Sequence, residues 1–268
     1  MSGQAKSTVT LDLDGVLIQN PFGSYVVPTV LGHLERSARL AGRERAAAHR
    51  ELRGAISAEW QRRMDRRDFV AAYHWDEIYG VVAEAYGVSG LPDVTRLVEE
   101  GSAQGHVHAL PGAHQALHLL RERGLRTVAL TNGYRRYQWP VLEALGLAPL
   151  FDDLESPEAH GYAKPQPELF HAVGEVLAHV GDTLEHDVLG ANLAGVRAVW
   201  VVPELPGPDP VVAGEALANP DFSTFFGEMQ DRAIYLRHHP EATAALLTPW
   251  VAVRNVLDGA RAIVEQLT

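Results

Sequence analysis

Val9-Thr10-Leu11-Asp12-Leu13-Asp14-Gly15-Val16 runs an apolar stretch into two carboxylates and then a glycine. The pattern predicts a buried first strand, residues 8 to 13, that ends at its aspartates. Side chains at i and i+2 of a strand share a face, so Asp12 and Asp14 point the same way. Two carboxylates that close repel, and the proton affinity of one rises. A bound divalent cation is one way to hold them. A division into nucleophile and acid is another. Gly15 then lets the backbone turn sharply. An Asp-rich turn carries the same short sequence, so the rest of the chain decides the reading.

Outward from that strand, residues 18 to 108 read as helical, with patterns over 30–40, 46–64 and 69–86. Breaks fall at Gly42, at Gly87-Val88-Ser89-Gly90 and at Pro92. No strand is expected there. From Pro111 the pattern changes. An amphipathic helix over 114–123 closes at Gly124, and a short apolar strand over 126–130 leads into Thr131-Asn132-Gly133. A helix over 139–145 follows, then strands over 177–180 and 198–202. Apolar strands alternating with helices predict a parallel α/β sheet, with the helical block inserted after its first strand. Pro203, Pro206, Pro208 and Pro210 form a stiff linker. Phe222, Phe225, Met229, Ala233 and Leu236 then recur at helical spacing and predict a helix packed on the core. A last strand and helix are expected over 250–267.

The composition excludes several functions. With 268 residues, 46% of them hydrophobic, the chain can form one large domain or two smaller ones. A formal net charge of −11 argues against bulk attraction to nucleic acid or an anionic membrane. The absence of cysteine rules out disulfides, thiolate metal sites and thiol nucleophiles. The first residues have no apolar signal-like run, and no stretch is long enough to span a bilayer, so a cytoplasmic protein is expected. The 23 basic residues include only two lysines, Lys6 and Lys164. A lysine kept in so arginine-rich a chain is a candidate for a specific chemical task. Arginines in the helical block, Arg62 and Arg63 among them, read as a solvated face, or in one or two cases as contacts to an anionic substrate.

The polar residues gather where the strands end, the edge at which open parallel sheets bind ligands. Asp12 and Asp14 end the first strand, and Thr131 and Asn132 the second. Lys164 follows a third segment, and Asp182 and Asp187 a fourth. Carboxylates, a hydroxyl, an amide and one cation suit displacement at phosphorus. Hard oxygen donors without cysteine suit Mg²⁺ rather than Zn²⁺.

At this point the chain resembles the haloacid dehalogenase-like superfamily. Residues 9–16 are similar to its motif I and residues 128–133 to motif II. The run from Lys164 to Phe170 is similar to motif III, and that from Gly181 to Ala191 to motif IV. The resemblance implies a Rossmann-like α/β core from residues 1–17 and 109–268, with an all-helical C1-type cap over 18–108. It implies Asp12 as the nucleophile that forms an aspartyl-phosphate, and Asp14 as acid and then base. Thr131, Asn132 and Gly133 would bind the phosphoryl group, and Lys164 would neutralise charge beside it. Mg²⁺ would be held by Asp12, Asp14 (through its carbonyl) and Asp182, with Asp187 supporting its water shell. Asp14 favours a phosphatase, because dehalogenating members lack the second motif I aspartate. The expected substrate is a small phosphorylated metabolite. A phosphomutase of the same superfamily and a non-catalytic binding protein on this scaffold are the alternatives. Only ten residues separate Phe170 from Gly181, so the helix starting at Pro167 must be very short.

Overall fold

A computed structural model describes residues 7–207, 210–212, 217 and 219–267. Lys6 and Pro208 lie outside the described residues. The chain divides into two compact units. The first contains residues 1–19, 109–132 and 146–268, and the second residues 20–108 and 133–145.

The first unit is built on a sheet of seven strands. In chain order these are β1 (Thr8–Leu11), β4 (Arg126–Leu130), β5 (Asp153–Glu155), β6 (Val176–Gly181), β7 (Arg197–Val201), β8 (Val211–Val212) and β9 (Val251–Val253). Two-residue strands, β2 (Ile18–Gln19) and β3 (His108–Ala109), lie outside this sheet. The spatial order is β5-β4-β1-β6-β7-β9-β8. Every pair is parallel except β8 with β9. The central strands are buried on both faces and largely apolar, as a sheet covered by helices requires, with Thr10 and His179 as buried polar exceptions. Val9, Leu11, Val128, Leu130, Val180 and Trp200 are all buried.

Each face has its own cover. On one, Leu130, Ala198, Trp200 and Ala252 pack with Phe170, Leu189 and the helix Pro220–Arg232. Of the expected stripe that helix carries Phe222, buried, and Phe225 and Met229, half-buried, with Phe226 also buried against the same cluster, while Ala233 and Leu236 lie beyond its end at Arg232. On the other face, the helix Val256–Glu265 lies close to the strands. A Cβ at Gly259 would come within 2.9 Å of Val199 Cγ1, so glycine sets that approach. The helix Ala113–Glu122 packs beside it.

The second unit is helical, with helices Val27–Leu34, Arg45–Asp65, Trp75–Tyr86 and Val94–Ala103. It also contains the helix Arg135–Ala144, although the sequence reading placed residues 133–145 with the α/β part. The reason is local. Tyr137 donates its hydroxyl to Asp76 Oδ2 at 2.7 Å, and Val94 N donates to Asp76 Oδ1 at 2.8 Å. One carboxylate therefore ties three helices, and helix Arg135–Ala144 packs along Val94–Ala103. Arg63 is a structural clamp rather than a solvated residue. It reaches Glu59 Oε1 at 2.8 Å, the Ala71 carbonyl at 2.8 Å and Glu77 Oε2 at 3.1 Å. Arg62 also pairs with Glu59. Among the described residues, no helix is long and apolar enough to cross a membrane.

Candidate active site

β1, β4 and β6 are neighbours, so their carboxyl ends bring three of the polar segments together. Asp12 N donates to Val180 O at 2.8 Å, which extends the ladder one residue beyond β1 and fixes where the Asp12 side chain starts. The chain then folds tightly: Val16 N, Leu17 N and Ile18 N all donate to Leu13 O at 3.3, 2.9 and 2.9 Å. Asp14, half-buried, sits in this turn. Gly15 has φ +80°, and a Cβ there would overlap the Asp182 carboxylate, whose Cγ would lie 2.9 Å away. Glycine is therefore required twice over, for its backbone angle and for the approach of the two loops.

Lys164 is the centre of the site. Its residue is only 3% exposed, and its Nζ lies 2.9 Å from Asp12 Oδ1 and 2.6 Å from Asp187 Oδ1. Asn132 holds its backbone from both sides: Lys164 N donates to Asn132 Oδ1 at 2.7 Å, and Asn132 Nδ2 donates to Lys164 O at 3.1 Å. The Asn132 side chain thus serves the lysine loop, a task the motif resemblance did not imply. Behind the loop, a Cβ at Gly190 would meet the Phe170 ring within 2.9 Å and Pro165 Cα at 3.0 Å, so glycine lets the helix Leu189–Leu193 close against Pro165 and Phe170. The helix after Lys164 spans only Pro167–Ala172, as short as the sequence spacing demands.

Asp187 accepts four donors. Lys164 Nζ and His179 Nε2, at 3.0 Å, share Oδ1, while Thr183 N at 2.9 Å and Thr183 Oγ1 at 2.5 Å share Oδ2. These contacts engage both oxygens of the carboxylate, one of them shared with Lys164. A Cβ at Gly181 would overlap Asp187, which explains the glycine at the end of β6. Asp182 follows directly, and Trp200 Nε1 donates to its main-chain oxygen at 2.9 Å. Thr131 is buried at the end of β4 with its N donating to Glu155 O at 3.2 Å. Gly133 begins the segment that groups with the helical unit.

The charges are set by burial. Desolvation pushes the Asp12 carboxyl up to about 6 against the pull of Lys164, with Asp187 and Asp14 adding to the rise. Burial holds Asp182 well above the usual carboxylate range, with Asp187 and Asp12 contributing. Burial also opposes charge on Asp187, but Lys164 and the His179 hydrogen bond outweigh it and hold that group well below its ordinary value. Desolvation alone would lower Lys164, and the two carboxylates raise it instead. Oxygens of Asp12, Asp182 and Asp187 lie within 4.8 Å of one another. Three carboxylates facing one ammonium leave a charge that a dication balances, and the hard oxygen donors fit Mg²⁺. Asp12 and Asp182 are the members that burial leaves above the ordinary carboxylate range, because at Asp187 Lys164 and His179 outweigh it.

Sequence reasoning passed over Thr10, His179 and Thr183. The available signal was a histidine inside the apolar run of β6, two residues before Gly181.

Residues 6–195 match the family model of the haloacid dehalogenase-like hydrolases. The chain belongs to that family. It is similar to the phosphoserine phosphatase of Thermus thermophilus, 43% identical over 107 residues that cover 37% of this chain and 43% of that protein. It is also similar to haloacid dehalogenase-like hydrolase domain-containing protein 3 of Bos taurus, 33% identical over 130 residues, 45% of this chain and 49% of that protein. The matched stretches span about half or less of these relatives. Among solved structures, a HAD phosphatase from Thermococcus onnurineus superposes with a TM-score of 0.58 at 24% identity, covering 75% of this chain and 89% of that one. L-2-haloacid dehalogenase from Xanthobacter autotrophicus gives 0.54 at 21% identity, covering 98% and 100%. Both likenesses establish the α/β fold.

Proposed function

We propose that this hydrolase is a Mg²⁺-dependent phosphatase of small phosphomonoesters that works through an aspartyl-phosphate on Asp12. The observation that carries the reading is the buried Lys164 ammonium set between Asp12 and Asp187, with Asp182 alongside and Asp14 two residues on. An Asp12 oxygen attacks phosphorus, and the bond from phosphorus to the leaving oxygen breaks. Asp14 gives that oxygen its proton, then takes one from the water that cleaves the acyl phosphate, which releases phosphate and restores Asp12. Lys164 neutralises charge on the transferring group and aligns the Asp12 carboxylate. Thr131 binds a phosphoryl oxygen. Asp12, Asp182 and the Asp14 carbonyl would hold Mg²⁺, which would supply Lewis-acid neutralisation of the phosphoryl charge.

Asp14 separates this reading from dehalogenation, since a halide leaving group needs no proton. The phosphatase named among the relatives supports the same class. We assign the helical block of residues 18–108, inserted between β1 and β4, the role of cap and source of substrate choice, and the protein a cytoplasmic location. The test is phosphate release from p-nitrophenyl phosphate with and without Mg²⁺. Turnover that EDTA abolishes and Mg²⁺ restores is expected. No turnover with this or a panel of phosphorylated metabolites overturns the reading, and exchange of phosphate between positions of one sugar without net release identifies a mutase instead.

A further inference from the structure

The strongest unassigned feature is a buried polar chain running through the sheet. Thr10 of β1 and His179 of β6 are register partners in adjacent parallel strands. Thr10 Oγ1 lies 2.9 Å from His179 Nδ1, and His179 Nε2 lies 3.0 Å from Asp187 Oδ1, the same oxygen that receives Lys164 Nζ. Both residues are fully enclosed, with His179 1% exposed and the Phe170 ring edge-on to the imidazole at 5.0 Å. Polar groups this deep in a sheet are costly unless each is satisfied.

We propose that His179, fixed by Thr10, is a positioning residue for catalysis: through its Nε2–H it anchors Asp187 so that Asp187 holds Lys164 against Asp12. The donor arithmetic places one hydrogen. Ionised Asp187 only accepts, so the Nε2 must carry it. Nδ1 faces the Thr10 hydroxyl, which both donates and accepts and so satisfies the ring in either charge state. Without His179, Asp187 keeps Lys164 and Thr183 but loses the donor opposite the lysine, and the Oδ1 that Lys164 follows is free to swing. The sheet register makes this device possible, because it places the imidazole two residues before the Gly181 turn and the hydroxyl two residues before Asp12. It touches no substrate. Its effect is on where Lys164 sits.

This inference rests on the phosphatase reading, so its test has an arm that needs no turnover. Two-bond ¹H–¹⁵N spectra of the full chain with labelled histidine, compared with His179→Gln, identify the His179 ring at pH 7. Hydrogen on Nε2 is expected. A ring with hydrogen on Nδ1 alone, and Nε2 bare, overturns the proposal whether or not the protein turns over substrate. The kinetic arm compares His179→Gln, whose amide nitrogen reaches the Nε2 position, with His179→Asn, which reaches only Nδ1. Asn is expected to lower kcat about tenfold or more with KM little changed, and Gln to stay within about threefold of wild type, because its amide keeps a donor at the Nε2 position. Thr10→Val, a milder core change, should lower kcat by a smaller factor, and Thr10→Ser should restore it. Melting curves accompany each variant. Equal kcat losses in Gln and Asn, or losses that track stability alone, overturn the positioning role, while a wild type without turnover faults only the phosphatase reading.

Discussion

Lys164→Arg keeps the charge and changes its shape, and the geometry around Nζ says how much that costs. In the wild type a single nitrogen bridges two carboxylate oxygens, at 2.9 Å from Asp12 and 2.6 Å from Asp187, with almost no solvent access. Guanidinium is longer and planar, and its charge is spread over three nitrogens. It cannot occupy the point between the two oxygens without retreating from one of them. Asp187 is anchored by Thr183 and His179, so the contact to Asp12 is the one that lengthens. Moving a unit charge from that contact distance to about 4.5 Å loses about 2 kcal/mol at an effective dielectric near 20. The hydrogen bond itself adds about 1 kcal/mol. Together these amount to about 3 kcal/mol, roughly a hundredfold in kcat, the range seen when one preorganised donor is removed from an active site. The assay is kcat on an aryl phosphate at saturating Mg²⁺, with Lys164→Ala beside it. The alanine variant is also expected to lose about 3–5 kcal/mol of stability, because it strands buried carboxylates, so melting temperatures are recorded for both. An arginine variant with near wild-type kcat refutes the point-charge argument and the assignment of Lys164 with it.

Asp12→Asn should abolish turnover with the far-ultraviolet spectrum unchanged, since an amide does not attack phosphorus; wild-type rates, with deamidation excluded by mass spectrometry, would sink the covalent route. Gly15→Ala puts a methyl on the Asp182 carboxylate at a left-handed backbone position, so half-maximal activity should need about 10–100 times more Mg²⁺; an unchanged Mg²⁺ titration would separate Asp182 from the metal. Arg63→Ala is expected to cost about 1–3 kcal/mol of stability, because Glu59 and the Ala71 carbonyl lose a donor; if thermal melts do not move, Arg63 is not the clamp described, and a KM effect confined to the physiological substrate would return it to substrate binding.

Much of the fold was legible because buried parallel strands are apolar runs. The segments read as strands at 126–130, 177–180 and 198–202 correspond to β4, β6 and β7 within a residue or two. β5 and β8 were not legible. β5 is three residues, Asp153-Leu154-Glu155, at a sheet edge where only Leu154 is buried, and three residues are too few to show a period. β8 is a two-residue edge strand whose place depends on β9, forty residues later. The helix Arg135–Ala144 was legible as a helix, but its grouping was not, since that follows from Asp76 recruiting Tyr137 and the amide of Val94 across long sequence gaps.

The site shows the same division between local and distant information. Asp12, Asp14, Lys164, Asp182 and Asp187 stand out in sequence because charge next to apolar runs is rare and needs a reason. What each charge is paired with is a property of the register. Asp187 read as a helper of the metal's water shell, and the fold also sets both its oxygens against Lys164, His179 and Thr183. Asn132 read as a phosphoryl contact, and its side-chain amide also meets the backbone of Lys164, 32 residues away. Both added pairings converge on one atom. A lysine ammonium buried among carboxylates is held only if its loop cannot relax and its counter-charge cannot rotate. Asn132 supplies the first condition, and the anchored Asp187 the second. That is also a physical reason for lysine in a chain that otherwise uses arginine: the space between Asp12 and Asp187 is one atom wide, and only a point cation satisfies both oxygens at once.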